Sequence, residues 1–421
     1  MLNSIYRLFC GKNYQTKYLK KIAAYKKEII KELFFGGELS AAELSSLTNK
    51  SLPLVSKILG ELIEDDCVIE NGYAHSTGGR RAQMYSLKDS ITYIVAVAMD
   101  QYMTNIAIIN AKNQIISETE TIELPLKDNT EAPQLLIRFI RQFIEKSRIP
   151  ADKFAGIGIG MPGFVDADKG INYSFLKTAD SLANYLSDAT GIPVFIDNDS
   201  SLIALAELRM GAARNYRNAM VINLNWGIGL GMIINGKLFR GDDGFAGEFS
   251  HMTLFANDKL CSCGKNGCLE TEASLYTMVE NAIQGISDGK PTKLKDLSLN
   301  RIGDAVNSVI SAAVTGDKFA VELLSDTAYN IGRGVAILIH IINPGHIILS
   351  GRGAAAGKLW LAPLQQALNV HCIPRLSANT GVQVSSLAGN AGLMGAACLV
   401  IENLSKDYIK KNIVKPKMIA D

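Results

Sequence analysis

Gly247-Glu248-Phe249-Ser250-His251, followed ten residues after the histidine by Cys261-Ser262-Cys263-Gly264-Lys265-Asn266-Gly267-Cys268-Leu269-Glu270, places three of the chain's seven cysteines within eight residues. A Cys-x-Cys pair with a third cysteine five residues on lets three thiolates converge, and Gly264 and Gly267 permit the tight turns this needs. His251 completes a tetrahedral set. With His251, Cys261, Cys263 and Cys268 all supplied by protein, no position remains for a catalytic water, so the expected role is structural. The other cysteines, Cys10, Cys67, Cys372 and Cys398, are scattered. That distribution speaks for metal binding and against a disulfide framework.

Strand and helix patterns alternate on both sides of this stretch up to about residue 400, which indicates α/β architecture. Strands are expected over 91–98, 105–109 and 114–124, then a helix over 131–147 and a buried strand over 155–159. Gly160-Met161-Pro162-Gly163-Phe164-Val165-Asp166 follows that strand. Asp197-Asn198-Asp199 follows another, 193–196, and leads into a helix ending at Ala206-Glu207. Leu224-Asn225-Trp226-Gly227-Ile228-Gly229-Leu230-Gly231 comes next. Beyond the cysteines stand Asn343-Pro344-Gly345-His346 leading to Gly351-Arg352-Gly353, and Gly389-Asn390-Ala391-Gly392 leading to Gly395. No tandem repeat or long low-complexity segment is visible.

The N-terminal part has a different pattern. Ile22, Ile29, Ile30, Leu33 and Phe34 recur at helical spacing until Gly36-Gly37. Ser40 and Glu43 form a capping box for a short second helix. Thr48-Asn49-Lys50 is a turn, and Ser51 is expected to cap a third helix with Pro53 in its first turn. Val55, Ile58, Leu59, Leu62 and Ile63 predict one buried stripe on that helix. Its other face offers Ser51, Pro53, Leu54, Ser56 and Lys57, small, polar and basic side chains suited to a DNA groove. Two β patterns follow, with Thr77-Gly78-Gly79-Arg80-Arg81 between them, and the paired arginines can reach phosphates or a narrow minor groove. The order is that of a winged helix-turn-helix.

The segment order from about residue 90 to 403 resembles the ROK family, which contains bacterial sugar kinases and sugar-responsive repressors. With the winged helix in front, the arrangement looks like the N-acetylglucosamine and xylose repressor branch. The resemblance implies an actin-like (ribonuclease H-like) fold with two α/β lobes, about 89–215 and 216–403, and a cleft between them. It implies structural Zn2+ on the four ligands named above, with the 251–270 loop tied to a sugar-binding wall. It implies sugar contacts at Asn198, Asp199, Glu248, His251 and Glu270, with Ser250 in place of the family's usual glycine; Gly163 lets the backbone approach the ligand. His251 would meet zinc through one ring nitrogen and sugar through the other.

The phosphate loops depart from the kinase pattern. Phosphoryl transfer depends on positioning and on backbone N–H groups facing phosphate. The kinases' Asp-x-Gly-Gly-Thr reads Asp100-Gln101-Tyr102-Met103-Thr104, and Gly-Thr-Gly-x-Gly reads Asn225-Trp226-Gly227-Ile228-Gly229. No catalytic residue is therefore expected. Asp199, the kinase-base equivalent, would only accept a hydrogen bond from sugar. Two alternatives remain: an active ATP-dependent ROK sugar kinase with an accessory DNA-binding domain, and a sensor held by another protein.

The chain has 421 residues, 48% hydrophobic and 20% charged, a globular composition for two or three domains. Residues 1–88 hold 13 Lys/Arg against 9 Asp/Glu, while the remainder holds 30 against 32. A basic arm on a near-neutral body fits nucleic-acid binding. The domain expectation is 1–88 for DNA binding, 89–403 for the ROK body and 404–421 for a basic tail. The expected partners are double-stranded operator DNA, a sugar or sugar-phosphate effector, and a second copy in a homodimer or higher homo-oligomer. The stretch from Leu2 to Cys10 is short and broken by Arg7, and no apolar run reaches the ~20 residues of a membrane span, so a cytoplasmic protein without membrane contact is expected.

Overall fold

The structure is a computed structural model that describes residues 17–74 and 81–405. It divides into two compact units, Met1–Asn198 with Ala396–Asp421, and Asp199–Gly395. The first unit thus ends before the helix that the sequence reading placed in the first lobe.

The first unit begins with α1 (Lys17–Gly36), β1 (Leu39–Ser40), α2 (Ala41–Thr48), α3 (Leu52–Glu64), β2 (Val68–Tyr73) and β3 (Gln83–Leu87). The order is the expected one of three helices and a hairpin. Gly37, at φ 74°, turns the chain out of α1. Ser40 and Glu43 form both bonds of the capping box. The Glu43 carboxyl is held below its usual range, first by the backbone N–H of Ser40 and then by its hydroxyl. Asn49, in the left-handed region, makes the turn into α3. The stripe on α3 is Val55, Ile58, Leu59 and Leu62, all buried, and α1, which packs on α3, buries Ile29, Ile30, Leu33 and Phe34.

Two details differ from expectation. Ile63 lies off the stripe and is 36% exposed. Ser51 has the extended N-cap backbone but makes no side-chain cap bond. Pro53 removes one of the two amide hydrogens that a capping hydroxyl could accept. The sheet runs β1-β3-β2. The hairpin tip, including Thr77, Gly78, Gly79 and Arg80, falls outside the described residues, as do Leu2 to Cys10 and the basic tail beyond Ser405.

The same unit holds β4 (Tyr93–Met99), β5 (Met103–Asn110), β6 (Glu120–Glu123), α4 (Ala132–Ser147), β7 (Phe154–Met161), β8 (Val165–Asp166), β9 (Ile171–Asn172), α5 (Leu182–Thr190) and β10 (Val194–Asn198). The sheet order is β10-β7-β4-β5-β6. β4, β5 and β6 form an antiparallel meander, and β4, β7 and β10 run parallel. The strand expected over 114–124 shrinks to β6. Asn110 Oδ1 accepts from the amides of Lys112 and Gln114 and turns the chain back beside β5, where Ile115 bridges to Ile109. Ile108 N then donates to the Ser117 hydroxyl instead of a backbone carbonyl, and the ladder is interrupted until β6.

The second unit comprises α6 (Asp199–Arg209), β11 (Ala219–Leu224), β12 (Ile228–Ile234), β13 (Lys237–Phe239), α7 (Glu270–Ala273), α8 (Leu275–Ser287), α9 (Ile302–Val314), α10 (Lys318–Ile342), β14 (His346–Ser350), α11 (Leu361–His371), α12 (Pro374–Ser377) and β15 (Gly381–Val384). Its sheet runs β13-β12-β11-β14-β15. The first three strands are again an antiparallel meander, joined in parallel to two more. Each unit thus repeats one strand path, as expected of an actin-like, ribonuclease H-like fold. Met220, Ile222, Leu224, Val279, Val306, Ile331 and Trp360 anchor the core between this sheet and its helices.

Helix α13 (Ala391–Ser405) closes the chain. On the first unit's sheet, a Cβ at Gly158 would lie 2.0 Å from the Ala396 carbonyl oxygen, so glycine is what lets this helix settle on β7. Further along, Glu402 receives Lys31 Nζ of α1 at 2.6 Å, both side chains mostly buried. Among the described residues no helix is long and apolar enough to cross a membrane.

Gly158→Ala and Gly60→Ala should act in opposite directions. The first forces α13 off the sheet and costs about 1–3 kcal/mol. The second adds a Cβ into open space within α3 and stabilises by about 0.5–1 kcal/mol. Peptide-resolved hydrogen exchange should show faster exchange over 391–405 for one variant and slower exchange over 52–64 for the other.

Candidate ligand site and metal centre

His251, Cys261, Cys263 and Cys268 come together as expected, with one ligand atom from each lying within 4.8 Å of all the others. Cys263 Sγ is 3.6 Å from Cys268 Sγ, and Cys261 Sγ is 3.4 Å from His251 Nδ1. Two thiolates bound at about 2.3 Å to a tetrahedral cation stand about 3.8 Å apart. The spacing therefore fits a four-coordinate soft cation and is far too long for a disulfide of about 2.0 Å. Burial, with help from the neighbouring thiols, pushes the Cys268 thiol up to about 12. The amide of Lys265 instead pulls Cys263 down. A bound cation would supply the charge that makes deprotonation of the buried thiol favourable.

The loop that carries these ligands is folded on itself. Cys261 N donates to Lys265 O, and Gly264 N donates to Cys261 O. Gly264 and Gly267 have φ of 84° and 73°, and a Cβ at Gly267 would meet the Phe255 carbonyl at 2.0 Å. Arg333 of α10 stacks 4.2 Å from the Phe255 ring and donates to Leu254 O. Asn330 donates to Glu272 O just after the loop. A cation here would therefore fasten a loop that already leans on α10.

His251 presents its second ring nitrogen to Glu248, with Nε2 3.7 Å from Oε2. Burial raises the Glu248 carboxyl, His251 opposes this, and Glu270 adds to it. Glu270 Oε2 in turn accepts from Ile228 N at 3.4 Å. Ser250, the departure from the family pattern, is buried in the short turn Phe249–His251. Glu248, His251 and Glu270 thus form one cluster.

Asp199 begins α6. Its Oδ1 accepts from Ser200 N at 2.8 Å and Ser200 Oγ at 3.2 Å. Its Oδ2 accepts from Asn223 Nδ2 at 3.2 Å. The sequence reading missed Asn223 and Ser200. The available signal was one amide inside the otherwise apolar buried run of β11. In the first unit, Asn198 Nδ2 donates to Gly163 O at 3.2 Å, so those two expected residues also meet. Gly163, at φ 91°, has Ser174 where a Cβ would go.

Both segments that depart from the kinase phosphate-loop pattern make internal contacts. Asp100 Oδ1 accepts from the amides of Tyr102 at 2.8 Å and Met103 at 2.7 Å. The turn's N–H groups are engaged by the chain's own carboxylate. Trp226 is buried in the second unit's core at 5% exposure instead of standing over an open loop. The Arg352 guanidinium covers its ring at 4.3 Å. Its Nε1 has no hydrogen-bond partner among the described residues.

Glu207, expected only as a helix end, is fully buried, and it accepts from the Ser350 and Ser385 hydroxyls and from Ala212 N. It holds the far end of α6 to β14 and to the segment after β15. On α3, Ser51, Pro53, Ser56 and Lys57 are exposed and Leu54 is half-buried; Arg81 is exposed at the base of the hairpin.

A family model described as the ROK family matches residues 94–403. The xylose repressor of Caldicellulosiruptor bescii is 28% identical over 386 residues, 89% of this chain and 95% of that protein. The glucokinase of Halalkalibacterium halodurans is 34% identical over 250 residues, 58% of this chain and 76% of that protein. Among solved structures, a ROK family transcriptional regulator, a homologue of the Escherichia coli MLC protein, superposes with a TM-score of 0.73 at 22% identity, covering 92% of this chain and 99% of that one.

Cys263→Ser should abolish stoichiometric metal retention and speed hydrogen exchange over 252–270. Ser262→Ala, between the ligands, should change neither. Elemental analysis of the purified proteins, before and after a chelator, reads the first effect. Retention of metal by Cys263→Ser would remove that thiol from the ligand set.

Proposed function

The chain belongs to the ROK family, and from that premise we propose that it is a sugar-responsive transcriptional repressor that binds its effector without phosphorylating it. The observation that carries this reading is the asymmetry of the kinase-like residues. Asn198, Asp199, Glu248, His251 and Glu270 are all present and in hydrogen-bonded or clustered settings. On the phosphate side, Tyr102 and Met103 replace the two glycines of one kinase loop, and Trp226 replaces the small hydroxyl residue of the other. The likeness to a xylose repressor also covers 89% of the chain.

In this reading α3 lies in a major groove, with Ser51, Pro53, Leu54, Ser56 and Lys57 toward the DNA and Arg80 and Arg81 reaching phosphates. Two copies of the chain hold two half-sites of a pseudo-palindromic operator. Sugar hydroxyls are recognised by the Asp199, Glu248 and Glu270 carboxylates, the Asn198 amide and His251, with the Gly163 backbone close by. The sugar favours one of two conformations because it binds that one more tightly, and DNA affinity falls accordingly. The cation is structural zinc, for which three thiolates and one imidazole are a standard ligand set. It steadies His251, whose other nitrogen faces Glu248.

A second reading, an active kinase carrying a DNA-binding module, is favoured by the presence of Asp199 and by the likeness to a glucokinase. An ATP-consumption assay across hexoses, pentoses and amino sugars separates the two. Turnover lost in Asp199→Asn would establish the kinase.

The repressor reading expects a gel shift with upstream DNA that is reversed by one sugar of the panel. Glu248→Gln should raise the sugar concentration needed by about tenfold or more, with sugar-free DNA affinity unchanged. Lys57→Ala, Arg80→Ala and Arg81→Ala should each weaken DNA binding and reduce the salt slope by about 1. Absence of DNA binding with or without sugars would overturn this reading.

A further inference from the structure

Resting on the reading of Asp199 as a sugar acceptor, we infer that Asn223 is a positioning residue that fixes the Asp199 carboxylate for the ligand. Asn223 is 2% exposed inside β11. Its Nδ2 donates to Asp199 Oδ2 at 3.2 Å and to Ser200 Oγ at 3.1 Å. Ser200 closes the ring through its amide and hydroxyl on Asp199 Oδ1. A carboxylate only accepts, so the amide nitrogen must face Asp199. This leaves Asn223 Oδ1 buried without a partner among the described residues. A leucine would occupy the same strand position without stranding a carbonyl. A buried amide kept half-satisfied in an apolar strand is explained by what its N–H groups do.

Two glycines make room for this arrangement. A Cβ at Gly229 would fall 1.9 Å from Ser200 Oγ, and one at Gly351 would fall 2.3 Å from Asn223 Oδ1. Both belong to glycine runs that in a kinase would be read as serving phosphate. Here they hold open the space in which the amide and the hydroxyl reach the carboxylate. Gly351 also sits at φ 79°, where a side chain is strained. Both oxygens of Asp199 thereby carry a fixed donor, and a sugar hydroxyl meets an acceptor already in its bound orientation. Preorganisation of this kind raises affinity by removing the cost of ordering the side chain on binding.

The test is calorimetry of the full-length protein with glucose, xylose, N-acetylglucosamine and their phosphates. Melting temperature and operator affinity are measured in parallel. Asn223→Leu keeps the branching and the number of side-chain heavy atoms and removes the donor. It should weaken binding of the recognised sugar by about tenfold or more, with sugar-free operator affinity unchanged. Asn223→Asp places two carboxylates face to face and should lower both sugar affinity and melting temperature. The reciprocal pair Asp199→Asn with Asn223→Asp should recover the melting temperature and not the sugar affinity. That split separates positioning of a ligand group from packing. Sugar affinity within twofold of wild type in Asn223→Leu would overturn the inference, as would sugar and operator affinity falling together. If the wild-type protein bound no sugar in the panel, the sugar-binding reading itself would fail, a result distinct from either of those.

Discussion

Helix α6 lies against β12 at a distance that side chains on the strand would forbid. A Cβ at Gly231 would fall 2.2 Å from Ala204 Cβ and 2.6 Å from the Ser200 carbonyl. Gly229 stands in the same relation to the Ser200 hydroxyl. The glycine-rich run is therefore a packing surface first. Its consequence is positional: the first turn of α6 is pressed close to β11, so Asp199 and Ser200 reach Asn223. At the other end of the helix, Glu207 holds Ser350 and Ser385. The helix is pinned at both ends by buried hydrogen bonds, whose directionality fixes one arrangement more strictly than apolar packing does.

The strand path of each unit explains how an apparently unrepetitive sequence builds the same sheet twice. The meander of β4, β5 and β6 matches that of β11, β12 and β13, and each is completed by two parallel strands. What recurs is the order and burial of strands, which many residue combinations satisfy. Only the second unit carries the long excursion between β13 and α8. There the cysteine loop folds, and α10 receives it through Arg333 and Asn330. Gly334 of α10 has Leu269 and Phe249 where a Cβ would stand, so the helix yields space for the start and end of that excursion.

Legibility in the sequence followed the range of the interaction. The α3 stripe, the Ser40–Glu43 capping box and the cysteine spacing are short-range patterns, and each appears in the structure. Ser51 failed as a side-chain cap because Pro53 changes the local donor supply. Ile63 fell off the stripe at the last turn of α3. The 114–124 strand begins with a single bridge at Ile115 and is interrupted where the Ser117 hydroxyl, not a backbone carbonyl, receives Ile108 N, an exchange that hydropathy does not register. Asn223 was hidden for another reason. Its partners are 23 and 24 residues away in sequence, and an amide in an apolar run gives no hint of which carboxylate it faces. Trp226 is visible in the sequence as a departure from the phosphate-loop pattern, but its position under Arg352 depends on a core built by distant helices.

The turn at Asp100 has a consequence for the physiology of such a protein. Tyr102 and Met103 stand there in place of the two glycines of the kinase pattern, and a nucleotide would have to find room beside both side chains. A sensor of the kind proposed would report how much sugar is present without reference to the cell's energy charge. A sugar kinase on the same fold necessarily couples the two quantities, because it consumes both substrates together. Side chains in place of two glycines in one hairpin are thus a route by which a shared scaffold can pass from metabolism to information.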